Sequence, residues 1–273
     1  MDYKGYTTLT LDTEEMNHFY NTKASQLKLK ENEYVVLKNT GGEVVDRLVF
    51  QEGELKRIKY PIIESSFLGD IKPRNTEQFL AFHMLQDKHS QIKLLTGKFG
   101  TGKSFSMIAQ AINFLERGVF NKIVYIRNNI NVSDCVELGA LPGAVQDKLL
   151  PYMMPLADHL GSREILENYL LTGAIEPIHL GFLRGRDLRD TLIYCTEAQN
   201  LSVAHMQLLI GRVAEGSELW LDGDIKQTDR KVFEKSSGIG AVIEKLSGNK
   251  HFAYVHLTKN ERSEVAALAD LLD

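Results

Sequence analysis

The stretch IKLLTGKFGTGKS, Ile92–Ser104, decides how the rest of this chain is read. Strand-like residues IKLLT run into a glycine-rich loop, and KSFSMIAQAINFLERG follows with helical spacing, closed by Gly118. Gly97, Lys98, Phe99, Gly100, Thr101, Gly102, Lys103 and Ser104 together match the G-x-x-x-x-G-K-[ST] loop in the strand–loop–helix setting it requires. Glycines at these positions let backbone N–H groups turn inward around a β-phosphate, and the helix N-terminus adds partial positive charge. The Lys103 ammonium would neutralise β- and γ-phosphate oxygens, and the Ser104 hydroxyl would ligate magnesium. ATP and Mg2+ are the ligands this reading expects.

Outward from the loop, KIVYIR (122–127), AIEPIHL, TLIYCT, ELWLDG and FAYVHLT read as strands. SVAHMQLLIGRVAEG and SEVAALADLLD read as helices. That alternation predicts an α/β fold, a P-loop NTPase with a parallel sheet flanked by helices on both faces. LPGAVQDKLLPYMMPLADHLG has helical spacing but contains Pro151 and Pro155, which predicts a kinked or broken insertion with Met153 and Met154 filling core. Residues 1–68 differ: YTTLTL and NEYVVLKNTGGEVVDRLVFQEGELKRIKYP alternate apolar and polar residues, the pattern of a small, mostly antiparallel β module. TEEMNHFYN reads as one short helix capped by Thr13. So short a module has a marginal core and shows no catalytic constellation, so a docking or packing role is expected of it. The P-loop domain then spans 69–273.

The 273 residues, 43% of them apolar, suffice for one large domain plus this module. A net charge of −4 argues against a surface coated in nucleic acid, so any such partner must be met by a local patch. Cys135 and Cys195 lie far apart without metal-ligand spacing, which indicates neither a disulfide framework nor a zinc site. MDYKGYTTLTLD lacks a signal-peptide pattern, and no apolar run approaches the roughly 20 residues that span a bilayer. A soluble, cytoplasmic protein with no membrane partner is expected.

Three further clusters bear on chemistry. In IKPRNTEQF, Gln78 could hydrogen-bond both edges of adenine, with Arg74 and Asn75 beside it; on a helix such a glutamine is as readily a solvated residue. EAQN follows one strand and GDIKQ another, at the carboxyl ends where open α/β sheets place ligands. The strand before EAQN ends in Thr196, where nucleotide-hydrolysing proteins usually carry a magnesium-anchoring Asp ahead of the water-activating Glu.

IKPRNTEQ, LTGKFGTGKS, LGALPG, FLRGRDL, EAQNLS, GDIKQTD and NERSEVAALA, in this order and spacing, resemble the PhoH family of P-loop ATPases, relatives of the superfamily 1 helicase core. The likeness runs from about Ile71 to the C-terminus and implies a helicase-like RecA core. The segment ending KYPIIESSFLGDIKPRN resembles the connector that in longer relatives follows a PIN-type nuclease; with that nuclease absent, ribonuclease activity is not implied. The resemblance implies that Lys103 and Ser104 handle phosphate and magnesium, Glu197 orients the attacking water and Gln227 senses the γ-phosphate. It makes Arg262 an arginine finger reaching a neighbouring subunit of a ring, hexameric in one form of this expectation. An ordinary helix-start ion pair is the alternative for Arg262. Arg184 and Arg186 could contact nucleic acid or phosphate, or simply pair with Asp187 and Asp190.

Three positions depart from the family pattern: Thr196 stands for Asp, Asp222 for Thr or Ser, and Ile225 for Pro. The resemblance implies that the strands ending at Thr196 and Asp222 are neighbours, so that Asp and Thr would have exchanged places and Asp222 could still serve magnesium; the alternative is that Asp222 is a turn residue before Gly223 and Thr196 has merely weakened the site. Two functions therefore compete. One is an ATPase using turnover to act on RNA or an RNA-bound partner. The other is a nucleotide-dependent assembly or regulatory module that hydrolyses slowly or not at all because of Thr196. A P-loop kinase fits less well, since no arginine-rich lid is evident.

Overall fold

Strand β1 (Tyr6–Thr10) is followed by helix α1 (Thr13–Thr22), then β2 (Tyr34–Lys38), β3 (Val44–Gln51) and β4 (Glu54–Arg57). The computed structural model describes residues 3–22, 27–66, 69–127, 145–225 and 237–261. Two of the three pairings in this first sheet are antiparallel, and β1 runs parallel to β2 because α1 lies in the connection between them. The N-cap of α1 is Asp12 and not Thr13: Glu15 N–H donates to Asp12 Oδ1 and Asp12 N–H to Glu15 Oε2, both at 2.9 Å. This reciprocal pair satisfies two donors, which Thr13 could not do from inside the first turn. Val35 and Leu37 pack with Phe19 of α1, while Tyr34 and Val36 point the other way into the main core.

The main domain comprises α2 (Thr76–Gln86), β5 (Ile92–Gly97), α3 (Lys103–Glu116), β6 (Lys122–Arg127), α4 (Val145–Leu160), α5 (Arg163–Leu171), β7 (Ile175–Pro177), β8 (Thr191–Thr196), α6 (Val203–Ile210), β9 (Glu218–Gly223), α7 (Gly238–Leu246) and β10 (Phe252–Leu257). Its six strands form one sheet in the order β10-β5-β9-β8-β6-β7, every pair parallel. Side chains alternate between two cores. Leu95, Tyr125, Leu192, Tyr194 and Trp220 face α2, α3, α4 and α5; Leu94, Val124, Ile193, Cys195 and Leu221 face α6 and α7. Of the kinked or broken insertion expected here, the broken form is excluded: helix α4 runs through Pro151 and Pro155 as one element, and Met153 and Met154 pack in or against the core. Helix α6 stops at Ile210 because Gly211 caps it, and Val213 then bridges to Leu188, so RVAEG is not helical. LGALPG, Gln227, Arg262, Cys135 and the expected helix SEVAALADLLD lie outside the described residues.

Candidate nucleotide site

Parity along β8 and β9 builds the site. Trp220 faces α3, so Asp222, two residues on, shares that face at the top of β9; Tyr194 and Thr196 do the same on β8. Strand β9 lies between the P-loop strand β5 and β8, and its last register pair with β8 is Cys195–Leu221, one step before Thr196 and Asp222. The carboxylate therefore emerges where α3 begins. Asp222 Oδ2 accepts from the Ser104 hydroxyl at 2.5 Å and from the Tyr194 hydroxyl at 2.8 Å, while Oδ1 accepts Glu197 N–H at 3.2 Å. Asp222 lies inside β9 and is buried, so it is not a turn residue.

The loop itself is held by close backbone approaches. Gly102 caps α3 with φ +88°, and a Cβ there would lie 2.9 Å from Gln78 Nε2. A Cβ on Gly97 would lie 2.4 Å from the Leu257 carbonyl. Thr101 Oγ1 and Lys103 Nζ both donate to the Lys98 carbonyl, at 2.9 and 2.8 Å, curling the loop.

Glu197 follows β8 in the left-handed region, φ 56° and ψ 41°, a conformation that costs a non-glycine residue about 1 kcal/mol or more. Its carboxylate accepts from Gln199 Nε2 at 2.6 Å and lies 4.0 Å from Arg127. Gln199 Oε1 in turn accepts Asp224 N–H at 3.1 Å, tying the loops after β8 and β9. Ser104, Lys103, Glu197, Asp222, Asp224 and His159 line a cavity of about 350 Å³. His159 arrives from α4 with its ring 5.9 Å from that of Phe105. Burial pushes its imidazole below the ordinary range, against the opposing pull of Asp222. Burial, and then the charge of Asp222, hold the Tyr194 hydroxyl protonated as a donor.

A second cavity of about 660 Å³ adjoins the first through Gly100, Gly102, Phe105 and His159, and is lined by Arg74 and Gln78. Gln78 is buried, with both ends of its amide on backbone: it accepts from Arg74 N–H at 2.9 Å and donates to the Thr101 carbonyl at 3.0 Å. Asn75 caps α2 by accepting Gln78 N–H at 2.9 Å and donates to Glu261 at 2.7 Å, while Glu261 N–H donates to the Gly100 carbonyl at 2.9 Å. A third cavity, about 770 Å³, sits at the opposite ends of β5, β9 and β10, away from this chemistry. Arg186 is bound to Glu176 at 2.9 Å and Arg189 to Asp187 at 3.0 Å, whereas Arg184 is exposed.

The oxygen donors fit magnesium, which keeps several waters and takes one or two protein ligands plus nucleotide phosphates. No group of three or more His, Cys, Asp or Glu among the described residues could form an all-protein metal cage. Tyr194 and His159 belong to the site although they fall in no motif, the one signal being the alternation that places Tyr194 beneath Thr196; Gln199 and Asp224 lie inside the EAQN and GDIKQ clusters, which assigned them no individual role.

A parallel sheet with a phosphate loop after β5 and carboxylates on the neighbouring strands defines a P-loop nucleotide-binding protein. The model of the PhoH-like protein family matches residues 70–269, and the chain belongs to that family. It is 29% identical to Protein PhoH2 of Bacillus subtilis, over 99% of this chain and 64% of that protein. It is 35% identical to Protein PhoH2 of Thermobispora bispora, over 72% of this chain and 46% of that protein. The chain thus spans about half to two thirds of these relatives' length. The crystal structure of Bacteroides Pif1 bound to ssDNA aligns over 74% of this chain and 46% of that one, at 13% identity and a TM-score of 0.37, too slight a likeness to add to the fold seen in the sheet. No helix of the described residues is long and apolar enough to cross a membrane.

Proposed function

We propose that this chain binds ATP with Mg2+ and hydrolyses it to act on RNA or an RNA-bound partner, working as a cytoplasmic ring of identical subunits. The observation that carries the ATPase reading is the 2.5 Å contact between Ser104 and Asp222, in one cavity with Lys103 and Glu197. Lys103 holds the β- and γ-phosphates, Ser104 and Asp222 serve the metal with Thr196 beside them, and Glu197 orients water. Magnesium, when bound, neutralises charge developing on the transferred phosphoryl group. Gln227 reads the γ-phosphate and Arg262 completes a neighbour's site. Arg74, Asn75 and Gln78 shape the adjoining cavity for the base. The RNA part rests on the family likeness to helicases and on the exposed Arg184.

Calorimetric titration tests the binding. Lys103→Ala removes a charge-assisted contact of about 1.5–3 kcal/mol, a loss of about 10- to 150-fold in ATP affinity. Unchanged affinity would remove the P-loop from this account. Steady-state turnover with and without single-stranded RNA separates the ATPase from the assembly module: binding intact with no turnover selects the latter.

A further inference from the structure

The Asp222 carboxylate is gripped from three directions, and one of them comes from Tyr194, a residue that does not line the cavity. A carboxylate has about four acceptor positions. Among the described residues Oδ2 takes two donors, the hydroxyls of Ser104 and Tyr194, while Oδ1 takes one, the Glu197 N–H. The terminal torsion of an Asp side chain is broad, so a carboxylate held by Ser104 alone could rotate over a wide range about it. Tyr194 removes that freedom. Its side chain is fully buried, with its ring 5.6 Å from that of Tyr125 at 73°, which fixes the phenol oxygen beside Asp222.

The same carboxylate thereby fixes its neighbours. With its single proton donated to Asp222, Ser104 keeps its lone pairs for another partner. The Glu197 backbone, strained at φ 56°, is anchored through Oδ1.

We propose that Tyr194 is a positioning residue for the ATPase site: its hydroxyl sets the rotation of Asp222, leaving Oδ1 as the oxygen with acceptor capacity for the water shell of nucleotide-bound Mg2+. This rests on the reading that Asp222 serves the metal. The group supplying the rotational lock is on β8, the strand that ends in Thr196 where the family has its Asp.

The readout is the Mg2+-dependent tightening of ATP binding by the full chain, followed by calorimetry over a series of Mg2+ concentrations and in EDTA. Tyr194→Phe is expected to leave ATP affinity in EDTA unchanged and to raise the Mg2+ concentration for half the tightening by about 10- to 100-fold, the usual cost of losing an outer-shell partner. In an Asp222→Asn background the same substitution should add no further shift. A Tyr194→Phe chain with the parent's Mg2+ midpoint overturns the proposal. So does one that loses ATP affinity in EDTA or no longer folds, since either marks a structural role. If Asp222→Asn itself leaves the midpoint unmoved, the metal-side reading of Asp222 fails; if Asp222→Asn moves it and Tyr194→Phe does not, only the role of Tyr194 fails.

Discussion

The Tyr6 hydroxyl donates to the Glu77 carboxylate at 2.7 Å, joining the first strand of the small sheet to the first turn of α2. Glu77 also accepts the Thr258 hydroxyl at 2.5 Å and the N–H groups of Thr258 and Lys259 at 2.6 and 3.1 Å. One carboxylate thus fastens the accessory module and the segment after β10 to the helix beside the P-loop. Burial pushes the Glu77 carboxyl up, but these donors outweigh it and hold it below its ordinary value of 4.5. A depressed folded-state value means the stabilisation is full above the unfolded value and is lost as pH falls through the folded one. Glu77→Gln should therefore cost about 1–3 kcal/mol at neutral pH, and the gap to the parent should close under acid conditions. Thermal melts of both proteins across that pH range check this; a gap that ignores pH would assign the loss to packing.

A second stability prediction concerns the buried pair Lys93 and Glu218, 2.7 Å apart, with the lysine fully buried and Trp220 Nε1 also donating to the same carboxylate oxygen at 2.7 Å. Burial lowers the Lys93 pKa, and Glu218 opposes that shift. Lys93→Met leaves a buried carboxylate with the indole N–H as its remaining donor and should cost about 3–5 kcal/mol. Adding Glu218→Gln should recover part of that loss in urea unfolding. A double variant no more stable than Lys93→Met would show that the pair does not act as a unit.

Legibility followed sequence distance. The phosphate loop was readable because its strand, glycines, Lys103 and Ser104 are contiguous, and the alternation of short strands with helices was enough for a parallel sheet. The cap of α1 was misplaced by one residue because Asp12 and Thr13 are both capping residue types, and only the reciprocal bond with Glu15 separates them. Tyr194 had only the strand alternation that places it beneath Thr196, and His159 carried no signal. Their roles depend on β9 lying between β5 and β8 and on the path of α4, which are set by tertiary packing. Gln78 was visible as a candidate, yet its buried bond to the Thr101 carbonyl could not be inferred from its place on a helix.

Arg262 yields to a mixing experiment. Glu261, its chain neighbour, donates its N–H to the Gly100 carbonyl and accepts from Asn75. If Arg262 completes a site across a subunit boundary, Arg262→Ala and Lys103→Ala proteins should each be nearly inactive, and their mixture should regain turnover because some interfaces are intact. No recovery in verified mixed oligomers would leave Arg262 a structural residue.

The exchange of Asp and Thr between β8 and β9 is tested by a double-mutant cycle. Adjacent strands are about 4.8 Å apart, and a carboxylate moved by that distance must still reach the P-loop serine to be of use. Here it does: Asp222 meets the Ser104 hydroxyl at 2.5 Å, while Thr196, buried on the neighbouring strand, shares its face. If Asp222 has taken over the metal-side role, Asp222→Thr should abolish magnesium-dependent turnover, and adding Thr196→Asp should restore much of it, a strongly non-additive outcome. If the site has simply decayed, Thr196→Asp alone should raise turnover by about 10- to 100-fold, the scale of one charged hydrogen bond in a transition state, and Asp222→Thr should do little. Calorimetry in EDTA should show ATP affinity near that of the parent in all three variants, because phosphate is held mainly by the loop and Lys103. Turnover that survives Asp222→Thr would end the relocation account.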